Sequence, residues 1–278
     1  GIKAHTIRMW EQRYNFLKPQ RTDTNIRYYS NEELKKLLNI ALLTRYGYKL
    51  CHIDRMCQDE ICAKILSLKD TQAVQERIVN DLVKQMIELE TEKFEAIINK
   101  YIQAKDMEST VREIIFPFLD KIGILWQTGH IMPAQEHFVS NIIRQKLIVA
   151  IDSVTPKKGT KKAVLFLPEG EHHELGLLFL YYLLKRKGIK VVYLGANVPM
   201  SDVENVIEVT NPDIAFIHLT SGCPSFSFEK LVCNLPSRLG NLPVVISGLP
   251  THKYCKELPS TISFKKSLTE ITDFISTL

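Results

Sequence analysis

The chain has 278 residues, 45% of them hydrophobic and 24% charged, and a formal net charge of +5. At about 100–200 residues per domain this length fits two domains or three small ones, and the composition excludes a disordered or fibrous chain. No run approaches the ~18 consecutive apolar residues of a membrane-spanning helix, no apolar leader follows Gly1, and six cysteines without a C-x-x-C pair read as reduced thiols of a cytoplasmic protein.

In chain order, the first texture is basic. Through Arg55 there are eleven Lys and Arg against five Asp and Glu, so the remainder of the chain is close to neutral. A basic head on a near-neutral body points to a polyanionic partner at the N-terminal end. His5 to Tyr14 predicts a short helix with an apolar seam of Ile7 and Trp10. Leu17-x-Pro19-x-Arg21 and Asn25-Ile26-Arg27-Tyr28-Tyr29 predict an extended basic-aromatic hairpin, and Ser30-x-x-Glu33 reads as a capping box opening the next helix. A helix small enough for the major groove followed by such a hairpin suits phosphate clamping with base readout; a solvated basic face with structural aromatics is the plainer alternative.

From about residue 62 to 152 glycine nearly vanishes and helical periodicity takes over. Ile78, Leu82, Met86 and Leu89 continue into Phe94, Ile97 and Tyr101, and a second pattern runs through Val111, Ile114, Ile115, Phe118, Ile122 and Leu125. Pro117 is expected to kink or split that second stretch. A further helix is predicted from Pro133 to about Asp152. Trp126 is followed by Glu136-His137 in a W-x9-E-H spacing, which by itself reads as a core tryptophan with a carboxylate at a helix start.

After a linker at 155–160 the texture changes again. Short apolar runs at 163–167, 189–194, 214–219, 243–246 and 261–264 alternate with helical patterns at 174–187, 201–210, 227–238 and 267–277; 251–258 is the least clear segment. This alternation predicts right-handed crossovers and a doubly wound sheet of five parallel strands. Ligands of such sheets sit outside the carboxyl ends of the strands at the switch point, where the loop Pro168-Glu169-Gly170-Glu171-His172-His173-Glu174-Leu175-Gly176 falls. A histidine there can ligate a metal if an acceptor such as Glu171 holds its other nitrogen, and no cysteine stands nearby to suggest structural zinc. The loops after the third strand (Thr220-Ser221-Gly222) and the fourth (Ser247-Gly248) are small and polar, leaving room for a bulky inserted ligand.

The head closely resembles the winged helix-turn-helix of MerR-family transcription regulators. It matches in Thr6-Ile7-Arg8-x-Trp10, Leu17-x-Pro19-x-Arg21, Arg27-x-Tyr29, and Leu37–Ile40 followed by Gly47-Tyr48 and Ile53. The resemblance implies that His5, Thr6, Arg8 and Arg13 approach DNA from the recognition helix and Arg27 and Tyr29 from the wing. It also places a first helix ahead of Gly1, so the chain reads as N-terminally truncated.

The remainder resembles a cobalamin-binding module, a four-helix cap followed by a Rossmann-like domain. Glu171-x-His173-x-x-Gly176 matches its D/E-x-H-x-x-G loop, whose histidine is the lower axial cobalt ligand. Thr220 and Ser221 fall where a serine meets the cofactor's nucleotide tail, and Ser247-Gly248 where a Gly-Gly pair begins. Trp126 with Glu136 and His137 matches the cap of light-sensing CarH/LitR-type regulators. Gln127 stands where those sensors carry a light-responsive histidine, with His130 nearby, and Leu249 replaces the second glycine.

The resemblance therefore implies a multidomain regulator: a MerR-type winged helix-turn-helix at 1–57, a helical cap at 62–154 and a Rossmann-like cobalamin-binding domain at 160–278. It is expected to be no enzyme, to bind adenosylcobalamin and a double-stranded DNA operator, to form a homo-oligomer (dimer or tetramer), and to couple cofactor or light state to DNA affinity. Two alternatives are a MerR-type regulator with a cofactor-free, degenerate module used for oligomerisation, and a corrinoid methyl-transfer component, which has no use for the head.

Overall fold

The computed structural model describes residues 2–127, 131–155, 159–220 and 227–278. They form two compact units that divide between Val139 and Ser140.

In the first unit, α1 (Ala4–Arg13) ends where the extended Tyr14 returns its N–H to the Trp10 carbonyl. The ribbon β1 (Gln20–Arg21) and β2 (Arg27–Tyr28) pairs antiparallel, with Arg21 opposite Arg27. Its tip turns at Asn25, which adopts φ 62 and whose Oδ1 accepts from Arg21; asparagine tolerates that left-handed conformation better than most residues. The expected capping box is present at the start of α2 (Asn31–Arg45). After α3 (Leu50–Ile53), α4 (Gln58–Ser67) packs Ile61 and Ile65 into the head's core with Ile40, Leu42, Leu43 and Ile53, against which Trp10 and Phe16 lean.

The bundle begins with α5 (Thr71–Glu88), capped by Asp70, and continues through α6 (Thr91–Ala104) and α7 (Met107–Thr110). Leu89 does not extend the apolar face as the periodicity predicts. It ends α5 in the left-handed region at φ 55 and is exposed. The stretch containing Pro117 does not stop: a π-helical turn at Val111–Ile115 leads directly into α8 (Phe116–Gln127). The Phe116 N–H reaches back to the Val111 carbonyl. The wider turn immediately before the proline absorbs the disruption that a missing N–H imposes on an α-helix. The helix α9 runs over Pro133–Asp152, as predicted. Phe94 and Phe118 meet edge-on at 5.5 Å in the bundle core, and Leu82, Met86, Ile98 and Ile114 are buried as well.

The second unit carries the end of α9 and a parallel sheet of β3 (Lys162–Pro168), β4 (Lys190–Val198), β5 (Ile214–Leu219), β6 (Val244–Gly248) and β7 (Ile262–Lys265). The strand order β4-β3-β5-β6-β7 puts the switch point between β3 and β5. The connections are α10 (Leu175–Lys187), α11 (Met200–Thr210), α12 (Phe228–Leu239) and α13 (Pro250–Lys253), with α14 (Leu268–Thr277) last; the unclear 251–258 segment therefore contains a single short helical turn. Val164, Phe166, Ala215 and Ile217 pack one face of the sheet against Val203 and Val232. Phe216 meets Phe274 from the other side. Near-continuous apolar strands are what a sheet covered on both faces requires.

Candidate functional site

Two groups of candidate residues lie in the first unit. On α1, His5, Arg8 and Arg13 are exposed and Thr6 is half-buried. The wing is held to α1 by Glu11: its Oε2 accepts from Arg27 Nε at 2.8 Å, and its Oε1 lies 4.0 Å from Arg21. Arg27 thus spends part of its charge inside the head, orienting the wing, and Tyr29 is half-buried beside it. Burial and the Glu11 carboxylate push the Tyr29 phenol above its ordinary range. The Glu11 pairs bring helix and wing together.

The second group is the cap. Trp126 is 56% exposed in the last turn of α8, and Ile124 and Met132 are exposed as well. His137 Nδ1 lies 3.2 Å from Glu136 Oε2 in the first turn of α9. The sequence reading passed over Gln135, which is buried and ties that turn down: its amide accepts from Met132 N at 2.9 Å and donates to the Ile87 carbonyl at 3.1 Å. A glutamine three positions into a predicted helix was the available clue. The side chain of Gln127, and His130, Ser221 and Gly222 altogether, lie outside the described residues.

In the second unit the loop between β3 and α10 builds the centre. Glu171 is 1% exposed, fixed by its N–H to the Pro168 carbonyl and by its carbonyl to Asn197 N. Its Oε1 accepts from the backbone N–H groups of His172 and His173, both at 3.0 Å, and lies 2.7 Å from His173 Nδ1. The backbone donors make this oxygen an acceptor, so Nδ1 carries the proton and Nε2 is the basic nitrogen. His173 is 58% exposed by side chain, a head group presented to solvent on a buried base. Thr220 Oγ1 donates to the His173 carbonyl at 3.4 Å, so the loops after the first and third strands of the sheet meet.

Beneath the loop, the ring of His218 on β5 packs against Gly176, where an added Cβ would lie 2.2 Å from its Cδ2. His218 Nδ1 is 2.8 Å from the hydroxyl of Ser247 on β6. Desolvation pushes the imidazole down to about 4, with Glu171 acting against it. Gly248 has a conformational reason to be glycine: φ is +102, and a Cβ would lie 2.0 Å from the Leu219 carbonyl oxygen. Leu249, in the place of a second glycine, is 57% exposed. Sequence reading missed His218, and also the Glu174 carboxylate, which pairs with Arg144 of α9 at 2.8 Å and accepts from Tyr193 OH at 2.9 Å. Burial and Glu174 together raise the Tyr193 phenol far above its usual value.

Among the described residues no three His, Cys, Asp or Glu side chains converge on a metal position. One imidazole cannot hold a free ion, but it suffices for a metal whose other positions are filled by a macrocycle. The donor set fits a corrin-bound cobalt. No helix among the described residues is long and apolar enough to cross a membrane.

Comparison with known proteins accords with this geometry. Residues 1–60 match the MerR HTH family regulatory protein description, and residues 78–150 match a B12 binding domain. Similarity to the monomethylamine corrinoid protein of Methanosarcina barkeri, at TM-score 0.59 and 14% identity over 73% of this chain and 100% of that one, concerns the fold. The chain thus joins a segment that matches a MerR helix-turn-helix to one that matches a B12 binding domain. It is homologous to two repressors of Myxococcus xanthus along nearly its whole length. The HTH-type transcriptional repressor CarA is 27% identical over 260 residues, covering 93% of this chain and 86% of CarA. The HTH-type transcriptional repressor CarH is 24% identical over 256 residues, covering 89% and 85%.

Proposed function

We propose that the chain represses or activates transcription in response to adenosylcobalamin, with His173 as the lower axial cobalt ligand. The observation that carries this reading is an exposed imidazole above the strand ends whose Nδ1 is engaged by the buried Glu171. Bound cobalamin would supply a cobalt centre with an exchangeable upper ligand. The protein's share is to present Nε2, to fix its tautomer through Glu171, and to accommodate the rest of the molecule beside Gly176, Thr220, Ser221, Ser247 and Gly248. Trp126, Glu136 and His137 are assigned to cofactor contacts in the same reading. The three-part division at 1–57, 62–154 and 160–278 and a cytoplasmic location belong to this proposal.

In the head, His5, Thr6, Arg8 and Arg13 would meet DNA from α1, with Arg27 and Tyr29 on the wing. A homo-oligomer would present two heads to a pseudo-palindromic operator. Cofactor can shift DNA affinity only by binding one assembly better than another.

The test is an absorption spectrum of the protein mixed with adenosylcobalamin in the dark and desalted, repeated after illumination, beside a His173→Ala control. Retained corrinoid with a His173-dependent spectrum supports the reading, and a light-induced change then establishes photochemistry with Gln127 in place. Corrinoid lost on desalting favours the second reading, a cofactor-free regulator, to which Leu249 lends support.

A further inference from the structure

When an imidazole from a protein takes the lower face of cobalamin, the benzimidazole tethered there has to leave the cobalt, and its nucleotide arm needs a place to go. The β3–α10 loop that carries His173 stands at the switch point between β3 and β5, where an open parallel sheet admits a ligand. The side chains around that entrance are small: Gly176 has none, Ser247 contributes a hydroxyl, and Gly248 allows the β5 and β6 backbones to approach closely. Yet the space those residues open is filled. The ring of His218 lies against Gly176 so closely that one methyl would overlap it, and Ser247 holds the ring from the other side at 2.8 Å.

We propose that His218 is a specificity-determining plug: its imidazole occupies the crevice that the nucleotide arm of a complete cobalamin has to enter, and the arm displaces it. The inference rests on the corrinoid reading above. A corrinoid without the arm meets His173 and never reaches His218, so it is indifferent to the plug. A complete cobalamin has to break the Ser247 contact and move the ring out of a tightly packed place, which slows its loading and weakens its hold.

The experiment compares hydroxocobalamin with diaquocobinamide, which share the corrin and differ in the arm, on the full chain by absorbance titration and stopped-flow mixing. In the wild type, cobinamide should load faster than hydroxocobalamin. His218→Gly should bind hydroxocobalamin about tenfold more tightly while changing cobinamide by less than about twofold. His218→Ser, which keeps a polar partner for Ser247, should follow the same direction, and circular dichroism with a melting curve checks that each variant folds. Equal loading of the two corrinoids by the wild type overturns the proposal whether or not the variants fold. So does a variant that strengthens both corrinoids alike. If cobinamide binds through His173 without arm selectivity, only the plug is wrong. If neither corrinoid is retained by wild type or variants, the corrinoid reading falls and takes the plug with it.

Discussion

A single oxygen, Oε1 of Glu171, accepts from two consecutive backbone N–H groups and engages the ring of His173. Glu171→Ala would strip the ring of its orienting partner and leave the two N–H groups without their acceptor. Loss of such a supporting partner typically costs about 10–100-fold in metal affinity. Cobalamin titration should show a drop of that size, with Glu171→Gln in between; unchanged affinity in both variants would remove Glu171 from the site. His218 makes a separate prediction for the protein without corrinoid. Its native value of about 4 lies below the ~6.5 of an unfolded histidine. Between the two, the unfolded chain binds a proton that the native one does not. Stability is therefore whole above about pH 6.5 and falls on acidification toward about pH 4, by about 1.4 kcal/mol per unit for this group. His218→Asn should flatten that part of the profile in urea titrations, and an unaltered acid slope would sink the assignment. The Glu171-x-His173-x-x-Gly176 loop was legible because its parts lie within six residues. His218 was not: it sits alone in an apolar strand, and Gly176 and Ser247 reach it from other elements.

Most elements could be read from periodicity, and the places where they could not share a cause in backbone hydrogen bonding. Apolar spacing carries Leu89 into a helix, but spacing is blind to the left-handed residue that closes one. Pro117 promises a break, and the chain instead inserts a π turn whose Phe116-to-Val111 bond lets the helix go on. The capping box at Ser30 and Glu33 was visible as a four-residue pattern, but not its second duty. Glu33 is buried and accepts from Ser30 N at 3.2 Å and from Lys18 N at 2.7 Å, so one carboxylate joins the start of α2 to the segment that enters the wing. Glu33→Ala should lose about 1–3 kcal/mol, the cost of leaving buried donors unsatisfied. It should also weaken binding to duplex DNA, because the segment entering the wing loses its tie to α2, whereas Ser30→Ala, which removes the cap alone, should cost about 1 kcal/mol. Equal stability losses in the two variants would show that the Lys18 bond contributes nothing.

At the scale of the molecule, composition divides a basic head from a helical bundle, yet residues up to Val139 fold as one compact unit. Sequence texture registers which residues face solvent or a partner and carries no record of which helices share a core. The join is made by α2 and α5. Arg45 of α2 pairs with Glu76 of α5 at 2.8 Å, and Lys35 of α2 pairs with Glu88 at the end of α5. Exposed ion pairs of this kind contribute only about 0–1 kcal/mol each, so the coupling has to reside in the packing of the two helices on each other. Head and bundle should therefore melt together, which is a requirement for any signal that reaches the DNA-binding face through the bundle. The chain's two tryptophans make this measurable, because Trp126→Phe leaves Trp10, which leans on the head's core, as the sole indole. In that background, Phe94→Ala opens a cavity deep in the bundle, where Phe94 is fully buried. It should cost about 3–5 kcal/mol. If the unit is cooperative, the Trp10 fluorescence transition in urea moves to lower concentration together with the far-ultraviolet helical signal, though Phe94 is remote in sequence from the head. A Trp10 transition that stays in place while the helical signal shifts would mean that head and bundle fold independently, and that α2 and α5 merely touch.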